Sequence, residues 1–394
     1  MSAPRVVLTN QYFPPDTSAT SDLARRLVDA LRDEGADVSV VAGRPSYRPS
    51  ADVAVRGLRL AARDGRVLRV RSARFDRTSL VRRASNYLTY LALSTLPIAR
   101  APADAFVSMT DPPFMLLLVT PIALARRIPV VYWLQDFHPE FLLGIGRIRR
   151  SPLTALWSRY HRWCMRRAAA VVVLGRDMRQ RVLDAGVRPE RIHIVPNGSA
   201  FDWPDDEPPE RLAHDELVVV HAGEIGMRGA WETLIGAARQ LRGVARFVLL
   251  GDGVDAPRVR ELAADLDNVE IHPPVPSAEV ASWLNRADAT LVMVRARSEG
   301  YSVPSKVYEL LGAGAPIIVM ARPDAEPALL VSEVGCGIVV DPDDPDAVAT
   351  DIRELAGDAD RRAAMGARAF AARDEFRRDD MIRRVARVVL GVRR

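Results

Sequence analysis

Among the 55 basic residues of this 394-residue sequence, Lys306 is the only lysine. Arginine stands wherever else a cation was accepted, so a lone lysine points to a position where a compact ammonium matters and a planar guanidinium does not serve. It lies within Glu299-Gly300-Tyr301-Ser302-Val303-Pro304-Ser305-Lys306-Val307-Tyr308-Glu309-Leu310-Leu311-Gly312-Ala313-Gly314-Ala315-Pro316, after a strand-like run ending near Val294. Ser302 is placed to cap a helix with Pro304 in its first turn, leaving the N–H groups of Ser305 and Lys306 directed at an anion. With the ammonium added, the pattern predicts a phosphate or diphosphate site. Glu309, three residues on, falls on the same helical face and suits hydrogen bonds from sugar hydroxyls such as those of a ribose.

Other residues able to do chemistry also follow apolar runs. Gly251-Asp252-Gly253 suits close backbone approach by a ligand, or a plain turn. Gln135-Asp136-Phe137-His138-Pro139-Glu140 follows the run Val130 to Leu134 and sets an imidazole near two carboxylates, groups suited to proton transfer. The acidic run Asp341-Pro342-Asp343-Asp344-Pro345-Asp346 reads as a solvated turn and not a metal site, since no His joins it.

The elements that must position these residues are legible in the periodicity. Val6 to Leu8, a turn-rich loop from Tyr12 to Ser18, Leu23, Leu27, Ala30 and Leu31 at helical spacing, and Val38 to Val41 make a β-α-β unit. The same unit returns at Leu217 to Ala222, the loop Gly223 to Gly229, the helical run Trp231 to Leu241, and the strand Arg246 to Leu250. Further strands are expected at 105–108, 129–134, 170–174, 269–272, 289–294, 316–320 and 337–340. Strands alternating with helices imply parallel sheets covered on both faces, so two such openings predict an α/β protein of two doubly wound Rossmann-like domains facing a cleft. The boundaries read as 1–198, a Pro- and acid-rich linker 199–210, 211–375, and a C-terminal helix 376–394 that packs back toward the N-terminal domain. Ligands of open parallel sheets bind beyond the C-terminal strand ends, where the residues above fall.

Composition closes off other classes. Hydrophobic residues make up 48% and charged residues 27%, which excludes disorder and low-complexity scaffolds. Phe114 to Ala125 is too short for a membrane span. Met1 to Arg5 runs directly into the first strand with no secretory signal pattern, so a cytoplasmic protein is expected. Cys164 and Cys336 are far apart and read as buried thiols. The net charge of +5 is modest and nucleic-acid signatures are missing. Ten arginines fall between Arg56 and Arg83 and seven between Arg147 and Arg167, which reads either as solvated surface or as a basic face for an anionic acceptor or membrane.

Taken together, these motifs resemble a known family. Tyr12-Phe13-Pro14-Pro15, the Gln135 to Glu140 loop, Val195-Pro196-Asn197-Gly198, the Gly223 loop, Gly251-Asp252-Gly253 and the stretch from Pro304-Ser305-Lys306 to Pro316 occur in the order and spacing of the family 4 retaining glycosyltransferases of the GT-B fold, especially the bacterial envelope and antibiotic-sugar branches. The resemblance covers essentially the whole chain. It implies a nucleoside-diphosphate sugar as donor substrate, no tightly bound cofactor, no metal, and an acceptor that is a small molecule, a glycan or a lipid-linked sugar. Lys306 and Arg228 would meet the diphosphate. Glu309 matches the second of the family's paired glutamates, while the first falls on Tyr301 with Glu299 two residues early, so backbone N–H groups of the 300 to 303 loop, with Glu299, Tyr301, Ser302 and Val303 on the donor side, stand in for that carboxylate. Gly223, Gly251, Gly253, Ser305 and Val275 complete the donor side, Val275 near the base. Asp136, His138 and Glu140 compete to serve the acceptor hydroxyl. A nucleotide-sugar 2-epimerase on the same fold and a two-lobed sugar-binding protein are the alternatives.

Overall fold

A computed structural model of the chain describes residues 3–45, 59–62, 65–75, 80–201, 203, 215–227, 229–294 and 298–392. Among these residues, the first half builds eight strands: β1 (Arg5–Thr9), β2 (Asp37–Ala42), β3 (Arg59–Ala62), β4 (Gly65–Arg69), β5 (Ala105–Ser108), β6 (Val130–Trp133), β7 (Ala170–Val173) and β8 (Ile192–Ile194). Their order is β3-β4-β2-β1-β5-β6-β7-β8, parallel except for the β3–β4 pair. The second half adds β9 (Leu217–Ala222), β10 (Ala245–Leu250), β11 (Val269–His272), β12 (Ala289–Met293), β13 (Ile317–Met320) and β14 (Gly337–Val340), all parallel in the order β11-β10-β9-β12-β13-β14. The expected strands are present within a residue or so. The β3–β4 hairpin and β8 are additions: Arg-rich and three-residue segments carry little apolar periodicity to betray a strand.

Each sheet is buried on both faces, and for that reason its strands are continuously apolar rather than alternating. Val219, Leu249 and Leu291 pack on one side of the second sheet with Trp231, Leu234 and Ile352, and Val220, Val248 and Val292 on the other with Val307, Tyr308 and Leu310. Strand order reverses between β1 and β5 and between β9 and β12, so each domain has its crevice at those strand ends.

The chain's last helix, Arg378–Gly391, crosses back as expected. Met381, Ile382, Val385, Ala386 and Val389 are buried with Val6, Leu8, Leu27 and Val38 in the first domain's core. Of the linker segment, 202 and 204–210 lie outside the described residues, as does Arg228. The acidic run resolves into a turn in which Asp344 caps the helix Pro345–Gly357, accepting from the N–H groups of Asp346 and Ala347. Both thiols are buried. Among the described residues no helix is long and apolar enough to cross a membrane.

Candidate active site

Loops leave the C-terminal ends of β9, β10 and β11 side by side because those strands are neighbours and parallel. The Gly223 and Gly251 loops interlock: Gly223 N–H donates to Leu250 O (2.8 Å), and Ile225 N–H to Asp252 O (3.0 Å). A Cβ at Gly251 would stand 1.8 Å from Gly223 O, and one at Gly253 would stand 2.4 Å from Ile225 O. Both glycines therefore admit the neighbouring loop's backbone; the close approach foreseen from the sequence is between protein segments. Val275, half-buried, continues the rim after β11.

Across the reversal point, the segment after β12 brings Lys306 to the same rim. A side chain starting at Gly223 would meet Lys306 Cε at 3.8 Å and His221 Nε2 at 3.5 Å, so all three border one space. The helix here is Lys306–Leu311, capped by Ser305 without a side-chain hydrogen bond. Ser302 does not cap it, contrary to the sequence expectation, because residues 301–303 are held elsewhere. With six residues, this helix contributes little dipole, and the ammonium is the principal charge. Lys306 Nζ lies 3.3 Å from Glu309 Oε2, as the i,i+3 spacing predicts.

The Tyr301 segment reaches into the first domain. Phe137 N–H donates to Tyr301 O (2.7 Å), Ser302 bridges Asp136, and Val303 is buried in the first domain's core. Arg181 lies over the Tyr301 ring, 4.9 Å from its centroid. Tyr301 N–H donates within its own loop to Ser298 O. The loop that was to replace a donor-binding carboxylate thus forms the seam between domains. Glu299 is buried beside it and accepts from the backbone N–H of Arg322 (2.8 Å). Burial pushes its carboxyl up to about 7, with Asp324 and Asp177 adding to the rise. Its backbone carbonyl accepts from Arg181 of the first domain (3.5 Å), so the residue borders the seam.

On the first domain's side, Gln135 and Asn197 exchange amide hydrogen bonds (2.7 and 3.3 Å). Glu140 accepts from Ser158 and from Arg162 (3.0 Å). The His138 ring stacks on Trp157 (6.2 Å between centroids) and meets Phe141 edge-on, while its carbonyl accepts from His161 Nδ1. His161 is wholly buried, which lowers its pKa to about 3 and keeps it neutral. Asp136, half-buried, stands at the seam opposite Ser302.

Three residues escaped the sequence reading. His221 interrupts an otherwise apolar buried strand immediately before Gly223, a signal that was available. Arg69, buried, donates to the carbonyls of Gly43, Phe13 and Pro14 and ties the loops after β1 and β2 together. Arg378 donates to Asn197 O and Gly198 O and faces both Glu309 (3.7 Å) and Asp22 (3.6 Å). Among dozens of arginines, neither of the last two could be distinguished without tertiary contacts.

Comparison with known proteins agrees with this architecture. Residues 20–198 match the model of a glycosyl transferase 4-like domain, and residues 216–358 that of glycosyl transferases group 1. The chain is 26% identical over 263 residues to the probable glycosyltransferase WbjE of Pseudomonas aeruginosa, covering 64% of this chain and 66% of that protein. The chain spans two thirds or less of the curated relatives it matches. Sucrose-phosphate synthase from Thermosynechococcus elongatus superposes over 99% of both chains with a TM-score of 0.75 at 14% identity. HepE of Anabaena, solved with UDP and glucose, superposes over 98% of this chain and 100% of its own with a TM-score of 0.68 at 15% identity.

Proposed function

The chain belongs to the GT-B glycosyltransferases, and on that premise we propose that it moves a sugar from a nucleoside-diphosphate sugar to an acceptor hydroxyl with retention at the anomeric carbon. The observation that carries this reading is the convergence of Lys306 and the Gly223 loop at the strand-order reversal of the second sheet, with Glu309 behind the ammonium. HepE's complex with UDP and glucose supports the donor class by analogy of fold. As the anomeric C–O bond lengthens, the leaving diphosphate gathers charge, and Lys306 stabilises it in place. Arg228 adds a second cation. The acceptor oxygen bonds to the anomeric carbon on the face the diphosphate leaves, and its proton passes to a departing phosphate oxygen. Fixed cations supply the neutralisation, so the reaction needs no metal and survives a chelator. Asp136, at the seam, orients the acceptor; His138, stacked in its aromatic pocket, shapes that loop.

Incubation with a panel of nucleotide sugars tests the reading. A glycosylated acceptor with the donor's anomeric configuration supports it. An epimerised donor favours the 2-epimerase, and a donor bound but unconsumed favours a sugar-binding protein.

The acceptor surface has its own signature. Leu88, Leu93 and Leu96 of the helix Leu80–Arg100, Leu124 of the helix Met115–Arg126, and Leu153 and Leu156 of the helix Pro152–Arg167 are exposed. The outer two helices both pack on the middle one, so these leucines lie on neighbouring elements, the last of which carries four of the arginines of 147–167. Such a surface suits an anionic leaflet carrying a lipid-linked acceptor and supports the reading of a protein peripheral on the inner membrane face. Binding to anionic vesicles, released by salt and missing with neutral ones, is the expected result.

A further inference from the structure

β9 is apolar except at its penultimate residue, His221. That residue stands where the order of the second sheet reverses, between β10 and β12. It is 9% exposed. Its Nδ1–H donates to Leu291 O of β12 at 3.1 Å, which fixes the tautomer and leaves Nε2 as an acceptor. Trp231 meets the ring edge-on at 5.3 Å and holds its plane. Burial lowers the imidazole's pKa to about 4, and the nearby Lys306 charge acts in the same direction, so the ring is neutral at pH 7.

Nε2 has no hydrogen-bond partner among the described residues. A buried acceptor without a donor is costly, so its partner is to be sought in the space it faces. Lys306 Cε borders that same space over Gly223. An ionised diphosphate brings only acceptors, whereas the Lys306 ammonium has three N–H donors, and Glu309 faces it from one side. We propose that His221 is a positioning residue for Lys306: its Nε2 accepts one ammonium N–H and holds the charge against the diphosphate when donor hydroxyls engage Glu309. The proposal rests on the donor-site reading above.

The test uses calorimetric binding of whichever of UDP, GDP, ADP and dTDP the wild-type protein binds most tightly. His221→Phe should weaken that binding about tenfold or more, the scale of a lost hydrogen bond to a charged group. His221→Gln, whose amide oxygen reaches the place of Nε2, should stay within about threefold of wild type, whereas His221→Asn, reaching only the place of Nδ1, should behave as Phe does. Gln and Asn are equally polar, so their difference survives any general effect of the Phe substitution on folding. In a Lys306→Ala background, His221→Phe should cost less than about twofold more, because the residue acts through the lysine. Equal binding by the Gln and Asn variants, or an undiminished loss in the Lys306→Ala background, overturns the proposal. Failure of the wild-type protein to bind any of the four nucleotides overturns instead the donor-site reading on which it rests.

Discussion

The two sides of the cleft occupy equivalent strand-end rims, yet they use their polar atoms differently. On the second domain's rim, His221 Nε2 has no hydrogen-bond partner among the described residues, and the ammonium of Lys306 meets Glu309 at 3.3 Å. On the first domain's rim, Gln135 is bound to Asn197 in both directions, Glu140 to Ser158 and Arg162, and the His138 carbonyl to His161. The second rim therefore sets an open lone pair beside a cation, while the loop after β6 ties its side chains together and holds Asp136 at the seam; the first rim's own open groups, the Gln11 amide and Glu140 Oε2, have no hydrogen-bond partner among the described residues.

Lys306→Ala probes that difference at its largest. Turnover should fall about 1,000-fold, roughly 4 kcal/mol of barrier, with the fold intact by circular dichroism. Retention of turnover within about threefold would show that the charge on the second rim is not the one that meets the leaving group. Arg378→Met tests the join between the rims. It strips donors from two carbonyls and a cation from Glu309 and Asp22, so stability in urea should drop by about 3 kcal/mol. A third comparison lies within the first rim. Asp136→Asn should slow turnover about 30-fold, or about 2 kcal/mol, and His138→Phe less than threefold, or about 0.6 kcal/mol. The reverse order would mean that the stacked histidine meets the acceptor after all.

The last comparison concerns the seam. Glu299 titrates near 7 in the folded chain against an ordinary value of 4.5, so between those pH values the native state holds more protons than the unfolded state. Stability must then fall as pH rises from about 4.5 to about 7. Glu299→Gln should flatten that part of the profile, measured as urea midpoints at several pH values. An unchanged slope would place the origin in other groups.

The fold was readable because each strand announces itself as a short apolar run bounded by turn residues, as 105–108 and 217–222 do. Lys306 and Glu309 were readable because rarity and helical spacing are sequence properties. The role of residues 299–303 was not: their contacts are with Asp136, Phe137 and Arg322, which no local pattern connects to them. Ser302 shows the limit well, a sound capping residue by type that long-range pairing draws into the seam. Arg69 and Arg378 were hidden for a compositional reason, since only the burial of one and the long-range partners of the other separate them from the many other arginines, and both are tertiary properties.

The returning helix also bears on how the chain is made. Its apolar face fills the first domain's core beside Val6, Leu8 and Leu27, yet it is translated almost two hundred residues after β8 closes the first sheet. At ordinary elongation speeds of about 5 to 20 residues per second, the nascent first domain waits roughly 10 to 40 s for that face to arrive. During synthesis it presents uncovered Val, Leu and Ala side chains to solvent or to a chaperone, so the order of manufacture leaves this core open to association until the last helix arrives.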